Sequence, residues 1–236
     1  GLDPPADGTE ERCAMVGAPL VVGVNHFSAP VELRERLALG EDRVCGVLGA
    51  LRDSCQAALL STCNRMELYG GSPGKVGLHD IRRLFGSWAG ISPAELSPYV
   101  YSYAGSEAVR HLFRVAAGLD SMVVGEAQIL GQAADASRKA ETEGSRGKEL
   151  DQLFTHAIRV GRRVRAETAI GQNGASIPGV AVGLARQGLG SLKGRRALIV
   201  GAGKAGLLSA RALLGSGAAE AFVSNRTDQR SRELAA

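Results

Sequence analysis

Cys63 stands in the run Ser61-Thr62-Cys63-Asn64-Arg65, directly behind the apolar stretch Ala57 to Ser61. A buried strand ending there would present the cysteine at a sheet edge. A guanidinium beside a thiol favours thiolate, the form that attacks a carbonyl carbon, and Arg65 is the arginine at hand. Buried cysteine is more often a small apolar packing residue, and Cys45 and Cys55 read that way. For Cys63, spacing alone leaves both readings open. The fourth cysteine is Cys13; no CxxC pair and no zinc-like Cys/His spacing occurs, so a metal centre is not expected. Reduced thiols fit a cytoplasmic protein.

A second constellation is Gly201-Ala202-Gly203-Lys204-Ala205-Gly206, placed between an apolar β-branched run (Ala197 to Val200) and a helical pattern. GxGxxG is a weak signal alone and gains weight from a strand before it and a helix after it. Gly201 would make the tight turn, Gly203 would let a pyrophosphate approach the backbone, and Gly206 would let the helix pack on the strand. The phosphates would then sit on a helix N-terminus. A second strand (AFVS) exits into Ser224-Asn225-Arg226-Thr227. Arg226 offers a guanidinium for a 2′-phosphate, or else is a solvated surface arginine. Glu220 would precede that strand and sit at its wrong end for an NAD-type acid, so NADPH is favoured over NADH.

These groups need a scaffold. Residues 19–25 (PLVVGVN) read as a strand, followed by helical stretches after Pro30 and over 41–52. Strands over 57–61 and 66–69 come next, then a helix over 76–88 and a strand over 99–103. The order βαββαβ predicts a ferredoxin-like sheet. Beyond Gly105 the pattern is helical: Ser106 as an N-cap, a helix over 129–143, and one over 148–168. This last helix carries Leu150, Leu153, Phe154, Ala157, Gly161 and Val164 as one stripe. The fold class is therefore an α+β N-terminal catalytic domain, ferredoxin-like plus helices, followed by an incomplete α/β Rossmann domain. The expected boundaries are a flexible leader over 1–18, the catalytic domain over 19–170, and the start of the nucleotide domain over 171–236, with Gly171–Gly174 as linker and Ser176 capping a short helix. No run approaches the ~20 apolar residues of a membrane span. Glycine, 32 of 236 residues, exceeds the usual ~7%, which suits tight turns and close ligand approach. The net charge of +4 is too mild to select a partner.

The runs VVGVNHFSAPVELRERLAL, LLSTCNRMELYG, HLFRVAAGLDSMVVGEAQILGQ and IVGAGKAG, in this order and spacing, resemble the glutamyl-tRNA reductases. The resemblance spans Leu20 to Arg226. It implies NADPH-dependent reduction of glutamyl-tRNA(Glu) to glutamate-1-semialdehyde through a Cys63 thioester, the first step of five-carbon tetrapyrrole (porphyrin) synthesis. It implies that Arg65 clamps the substrate's side-chain carboxylate, with Thr62 and Asn64 hydrogen bonding around it. His111 would be the active-site histidine, as base or carbonyl polariser. Ser121, Glu126, Gln128 and Gln132 would line the glutamyl pocket, although a helix cap and polar surface explain the same residues. His26, His79 and His156 gain no support from it. Ala127 departs from the family's proline and Ala205 from a larger residue. The family continues into the rest of the nucleotide domain, a spinal helix and a dimerisation region, so the resemblance implies C-terminal truncation here. The full-length protein would be a homodimer through that region. Glutamate-1-semialdehyde aminomutase is a candidate partner.

Two alternatives remain. Another NADP-dependent carbonyl reductase would need only the glycine loop. A non-catalytic tRNA-binding fragment would use Arg159, Arg162, Arg163 and Arg165, with Arg138, Lys139, Arg146 and Lys148 nearby. Such a run is more often a solvated helix face.

Overall fold

The computed structural model describes residues 18–71, 78–171 and 177–235. The expected leader (with Cys13), most of the 171–174 linker and the Ser176 cap lie outside them. The chain divides into two compact units, Gly1–Gln172 and Asn173–Ala236.

In the first unit β1 (Leu20–Asn25), β2 (Gln56–Ser61), β3 (Arg65–Gly71) and β4 (Tyr101–Ala104) form one sheet in the order β2-β3-β1-β4, antiparallel throughout. β1 is central and buried at every position, which its unbroken apolar run requires. Helices Val31–Leu37 and Glu41–Leu51 connect β1 to β2. Helices Leu78–Ala89 and Pro93–Leu96 connect β3 to β4. Each connection skips one strand. The Pro93–Leu96 turn was not expected from the sequence. Its signal was the Ser92-x-x-Glu95 spacing: Ser92 Oγ accepts from the Glu95 N–H at 3.2 Å. It replaces the start of the expected 99–103 strand, because Ser97–Tyr99 continues as a 3₁₀ turn.

Three helices, Ser106–Ala117, Gln128–Thr142 and Lys148–Glu167, pack beyond the sheet. Ser106 is not the cap expected of it. Gly105 (φ +59°) occupies the N-cap and no side chain bonds there. The stripe Leu150, Leu153, Phe154, Ala157, Gly161 is buried as its spacing requires. Gly161 permits a close helix crossing: a Cβ there would lie 2.6 Å from Ala116 O and 2.8 Å from Leu130 Cδ1.

The second unit holds helix Ile177–Leu189, β5 (Arg196–Val200), helix Lys204–Gly215, β6 (Glu220–Ser224) and helix Asp228–Ala235. β5 and β6 pair in parallel across a helical crossover. Glu220 is the first residue of β6, not a residue before it. Leu198, Val200 and Phe222 are exposed, so one apolar face of this sheet is uncovered among the described residues.

Candidate active site and nucleotide-binding loop

The β2–β3 hairpin ends in Thr62-Cys63-Asn64. The Thr62 N–H donates to Arg65 O at 2.8 Å, and Thr62 Oγ1 accepts from the N–H groups of Asn64 and Arg65, both at 3.1 Å. The threonine thus folds the turn on itself and leaves Cys63 exposed at its tip. Asn64 Oδ1 accepts from Arg34 Nη1 at 3.3 Å, and the same nitrogen donates to Cys63 O at 2.7 Å. Thr62 and Asn64, expected to meet substrate, are engaged in building the turn.

Arg65 departs further from expectation. It is 2% exposed and points inward: Nη1 donates to Glu67 Oε1 at 2.7 Å, and Nη2 donates to Asp120 O and, at 3.5 Å, to Asp120 Oδ2. The arginine beside Cys63 is therefore Arg34, from the helix after β1. The expected thiolate bias is corrected as well. Although the residue is exposed, partial desolvation of its sulfur pushes the Cys63 thiol above its ordinary 9.0, the Glu126 carboxylate adds to this, and a backbone hydrogen bond and Arg34 pull the other way.

Glu67 is the centre of a buried network. Its carboxylate accepts from Arg65, from Tyr69 Oη at 2.6 Å and from Tyr101 Oη, and lies 2.8 Å from His111 Nε2. Burial alone would raise its pKa. The Arg65 charge and the His111 and Tyr101 hydrogen bonds outweigh that and hold Glu67 well below the carboxylate range. Gly23, paired with Glu67 across β1 and β3, makes the room: a Cβ there would lie 2.7 Å from Glu67 Cγ. In sequence the signal was Arg65, Glu67 and Tyr69 at period two, two opposite charges on one face of a buried strand.

His111 lies on the buried stripe of the 106–117 helix. It borders a cavity of about 500 Å³ together with Asn25, Ser28, Tyr101, Arg114 and Asp120. Ser121 and Glu126 are buried in the loop after that helix. Burial pushes the Glu126 carboxyl up, against Arg65 and Arg165. Gln128 opens its helix half-buried. Gln132, one turn on, lines a second cavity of about 250 Å³ with Ser61 and the Lys139–Glu41 ion pair. The structure so places His111 at the larger cavity, Gln132 at the smaller, and Cys63 in the wall of neither. Among the described residues no group of three or more His, Cys, Asp or Glu could hold a metal ion, and no helix is long and apolar enough to cross a membrane.

The basic stripe of helix 148–167 is largely occupied. Arg163 pairs with Glu167 at 3.0 Å, and Arg165 turns inward to Gly125 O and Glu126 O. Nearby, Arg146 pairs with Glu141 and Asp151, and Arg138 with Asp135. Arg159 and Arg162 stay exposed.

In the second unit the glycine loop makes a tight turn between β5 and the helix Lys204–Gly215. Gly201 (φ +107°) turns the chain, and its N–H donates to Ser224 O at 2.7 Å. A Cβ on Gly206 would lie 2.1 Å from Gly201 O, so helix and strand meet only with glycine there. A Cβ on Gly203 would meet open space, the side a ligand can approach. Lys204 starts the helix, and Ala205 is exposed in its first turn. Asn225 Oδ1 accepts from the Ala202 N–H at 3.4 Å, tying the exit of β6 to the loop and setting the exposed Arg226 beside it. Sequence reading had singled out Arg226 and passed over Asn225.

Residues 22–168 match the family model for the glutamyl-tRNA(Glu) reductase N-terminal domain, and residues 183–236 match that for shikimate/quinate 5-dehydrogenase. The glutamyl-tRNA reductase of Pelotomaculum thermopropionicum is 46% identical over 92% of this chain and 50% of its own length. That of Rubrobacter xylanophilus is 48% identical over 92% and 51%. The solved glutamyl-tRNA reductase of Methanopyrus kandleri superposes with a TM-score of 0.60 at 37% identity, covering 92% of this chain and 51% of that one. The chain spans about half the length of these relatives. It belongs to the glutamyl-tRNA reductase family, carrying its N-terminal domain and the opening of a Rossmann-type α/β unit.

Proposed function

We propose that the protein to which this chain belongs reduces glutamyl-tRNA(Glu) to glutamate-1-semialdehyde with NADPH, the first step of porphyrin synthesis. The observation that carries this is Cys63, an exposed thiol at the tip of a hairpin built by its own neighbours. The sulfur attacks the ester carbon joining glutamate to the tRNA 3′ end and forms a thioester; the tRNA leaves as the alcohol. When bound, the cofactor supplies the hydride that releases the aldehyde. The backbone of Gly201 to Gly206 would hold its pyrophosphate and Arg226 its 2′-phosphate.

His111 borders the larger cavity with Nε2 committed to Glu67. That bond fixes the ring and leaves Nδ1 for the substrate. Asp120 and Arg114 on the same wall offer opposite charges to the glutamyl group's ammonium and carboxylate. Arg65 acts one step behind them, by holding Asp120. Ser121, Glu126, Gln128 and Gln132 complete the surroundings. We read the sheet as ferredoxin-like, supported by its order β2-β3-β1-β4, and the two units as a catalytic domain and the start of an NADPH domain. A cytoplasmic homodimer serving the aminomutase that consumes the aldehyde is the natural setting.

The test is intact-protein mass measurement after mixing with glutamyl-tRNA. A glutamyl adduct mapping to Cys63, absent in Cys63→Ser and present in Cys45→Ser and Cys55→Ser, is expected. An adduct that persists in Cys63→Ser overturns the reading.

A further inference from the structure

His26 follows directly on β1, and both its ring nitrogens are buried with no hydrogen-bond partner among the described residues. A buried polar atom is ordinarily paired, so an orphan of this kind points to a partner that arrives. The local chain explains its position. Asn25 Oδ1 accepts from the N–H groups of Phe27 at 2.9 Å and Ser28 at 3.1 Å, an Asx turn that bends the chain sharply at the end of β1. Phe27 is 73% exposed, and its ring lies over the imidazole with centroids 3.9 Å apart. An exposed phenyl is an inexpensive cover, one that an entering ligand can displace.

The register says what His26 sits beside. β1 and β3 pair Asn25 with Arg65 at their ends, His26 follows Asn25, and Arg65 O closes the turn that carries Cys63 by accepting from the Thr62 N–H. Arg34, which bonds Cys63 O and Asn64 Oδ1, belongs to the same corner. Burial lowers the pKa of His26 and the charges of Arg65 and Arg34 lower it further, with Asp120 opposing, so the ring is neutral near pH 7. A neutral imidazole carries one N–H donor. Arg65 is balanced by Glu67 and Asp120, and Arg34 adds a positive charge beside the Cys63 turn that suits a developing negative charge.

We propose that His26 is a further catalytic residue of the Cys63 site, donating a ring N–H to the ester carbonyl oxygen as Cys63 attacks. The Cys63 thiol gives its proton to solvent and its sulfur forms the C–S bond, while the carbonyl π pair moves onto oxygen. That oxyanion is what His26 stabilises. Its collapse breaks the C–O bond to the ribose, whose oxygen takes a proton from solvent. No electrons pass to or from a cofactor. His111, with Nε2 held by Glu67, lines the larger cavity, whose wall does not include Cys63; His26 is the histidine that shares Arg34 with the Cys63 turn. The inference rests on the thioester reading above and adds a residue to it.

The experiment compares His26→Phe and His26→Asn with the wild-type chain, measuring the melting temperature and the rate of Cys63 acylation by glutamyl-tRNA. His26→Phe keeps a ring against Phe27 and removes both orphaned nitrogens, so its melting temperature should equal or exceed the wild type's. Its acylation kcat should fall about 10²–10³-fold with KM changed by less than about threefold, the signature of a lost oxyanion donor. His26→Asn, which retains an N–H donor, should recover part of that loss. Acylation by His26→Phe within threefold of wild type would overturn the proposal. So would a loss that tracks a lowered melting temperature in both variants. If the wild-type chain is not acylated at all, the thioester reading fails first and takes this proposal with it. An acylated wild type with an unimpaired His26→Phe refutes the role of His26 alone.

Discussion

Replacing Glu67 by glutamine leaves the shape of the site nearly unchanged and removes its one fully buried negative charge. Glu67 is 0% exposed and takes hydrogen bonds from four directions: Arg65, Tyr69, Tyr101 and His111. A glutamine amide can accept at only one of its two terminal atoms, and its NH₂ would face groups that are themselves donors. Arg65, 2% exposed, would keep only Asp120 as a counter-charge. Breaking a buried pair from one side costs about 3–5 kcal/mol. For a unit of this size that is a drop in melting temperature of about 6–20 °C. Trp88, the sole tryptophan, packs 5.3 Å from the core ring of Phe85, so its fluorescence follows this unit.

The pH dependence has a definite sign. Because the folded pKa of Glu67 is depressed, its contribution is fully present above the ordinary carboxylate value of 4.5 and is lost as pH falls through the much lower folded value. The gap between wild type and Glu67→Gln should therefore be constant from neutral pH to about pH 5 and close in stronger acid. A variant that melts within about 2 °C of wild type at pH 7 would refute the argument, since it would mean Arg65 is satisfied without Glu67.

Other outcomes follow from single contacts. Alkylation of Cys63 by iodoacetamide should keep accelerating through pH 9, because its thiol is raised above the ordinary value. Glu126→Gln should shift that profile to lower pH, and a plateau near neutral pH would contradict the assigned cause. Gly206→Ala places a methyl 2.1 Å from Gly201 O and should abolish NADPH binding in the full-length protein, as read by fluorescence titration; unchanged affinity would show the loop is not the cradle. In the same titration Arg226→Glu should weaken NADPH binding at least tenfold and NADH binding little, whereas equal losses would mean that Arg226 does not read the 2′-phosphate.

The elements were legible where one pattern rules: the apolar run that opens β1, the stripe of helix 148–167, and the strand-loop-helix frame of Gly201 to Gly206. The destinations of polar side chains were not. Arg65 reads as a substrate clamp until Gly23, 42 positions earlier, opens the space that draws Glu67 and with it Arg65 into the core. Arg34 was not singled out in the sequence, and only the hairpin brings Cys63 O to its guanidinium. His26 stands in the run VVGVNHFSAP yet gains no role from it, and only the structure shows its ring nitrogens without partners among the described residues. Ser106 failed as a cap because a glycine at positive φ already supplied the turn before it. Local spacing decides which residues form a helix or strand. Pairing among buried charges is decided by chain segments far apart in sequence.

On the proposed function, the first unit would carry the acyl-transfer half of the chemistry by itself. The most direct measurement is the fate of glutamyl-tRNA on the 236-residue chain, with and without NADPH. The exposed Leu198, Val200 and Phe222 leave the nucleotide-side sheet uncovered, so poor NADPH binding is expected from this chain alone. Cys63 should still take the glutamyl group, and water should slowly hydrolyse the thioester. The account predicts release of glutamate and free tRNA at a rate that is unchanged by NADPH and lost in Cys63→Ser. Deacylation that survives in Cys63→Ser, or rapid NADPH-dependent formation of the aldehyde by this chain, would contradict it.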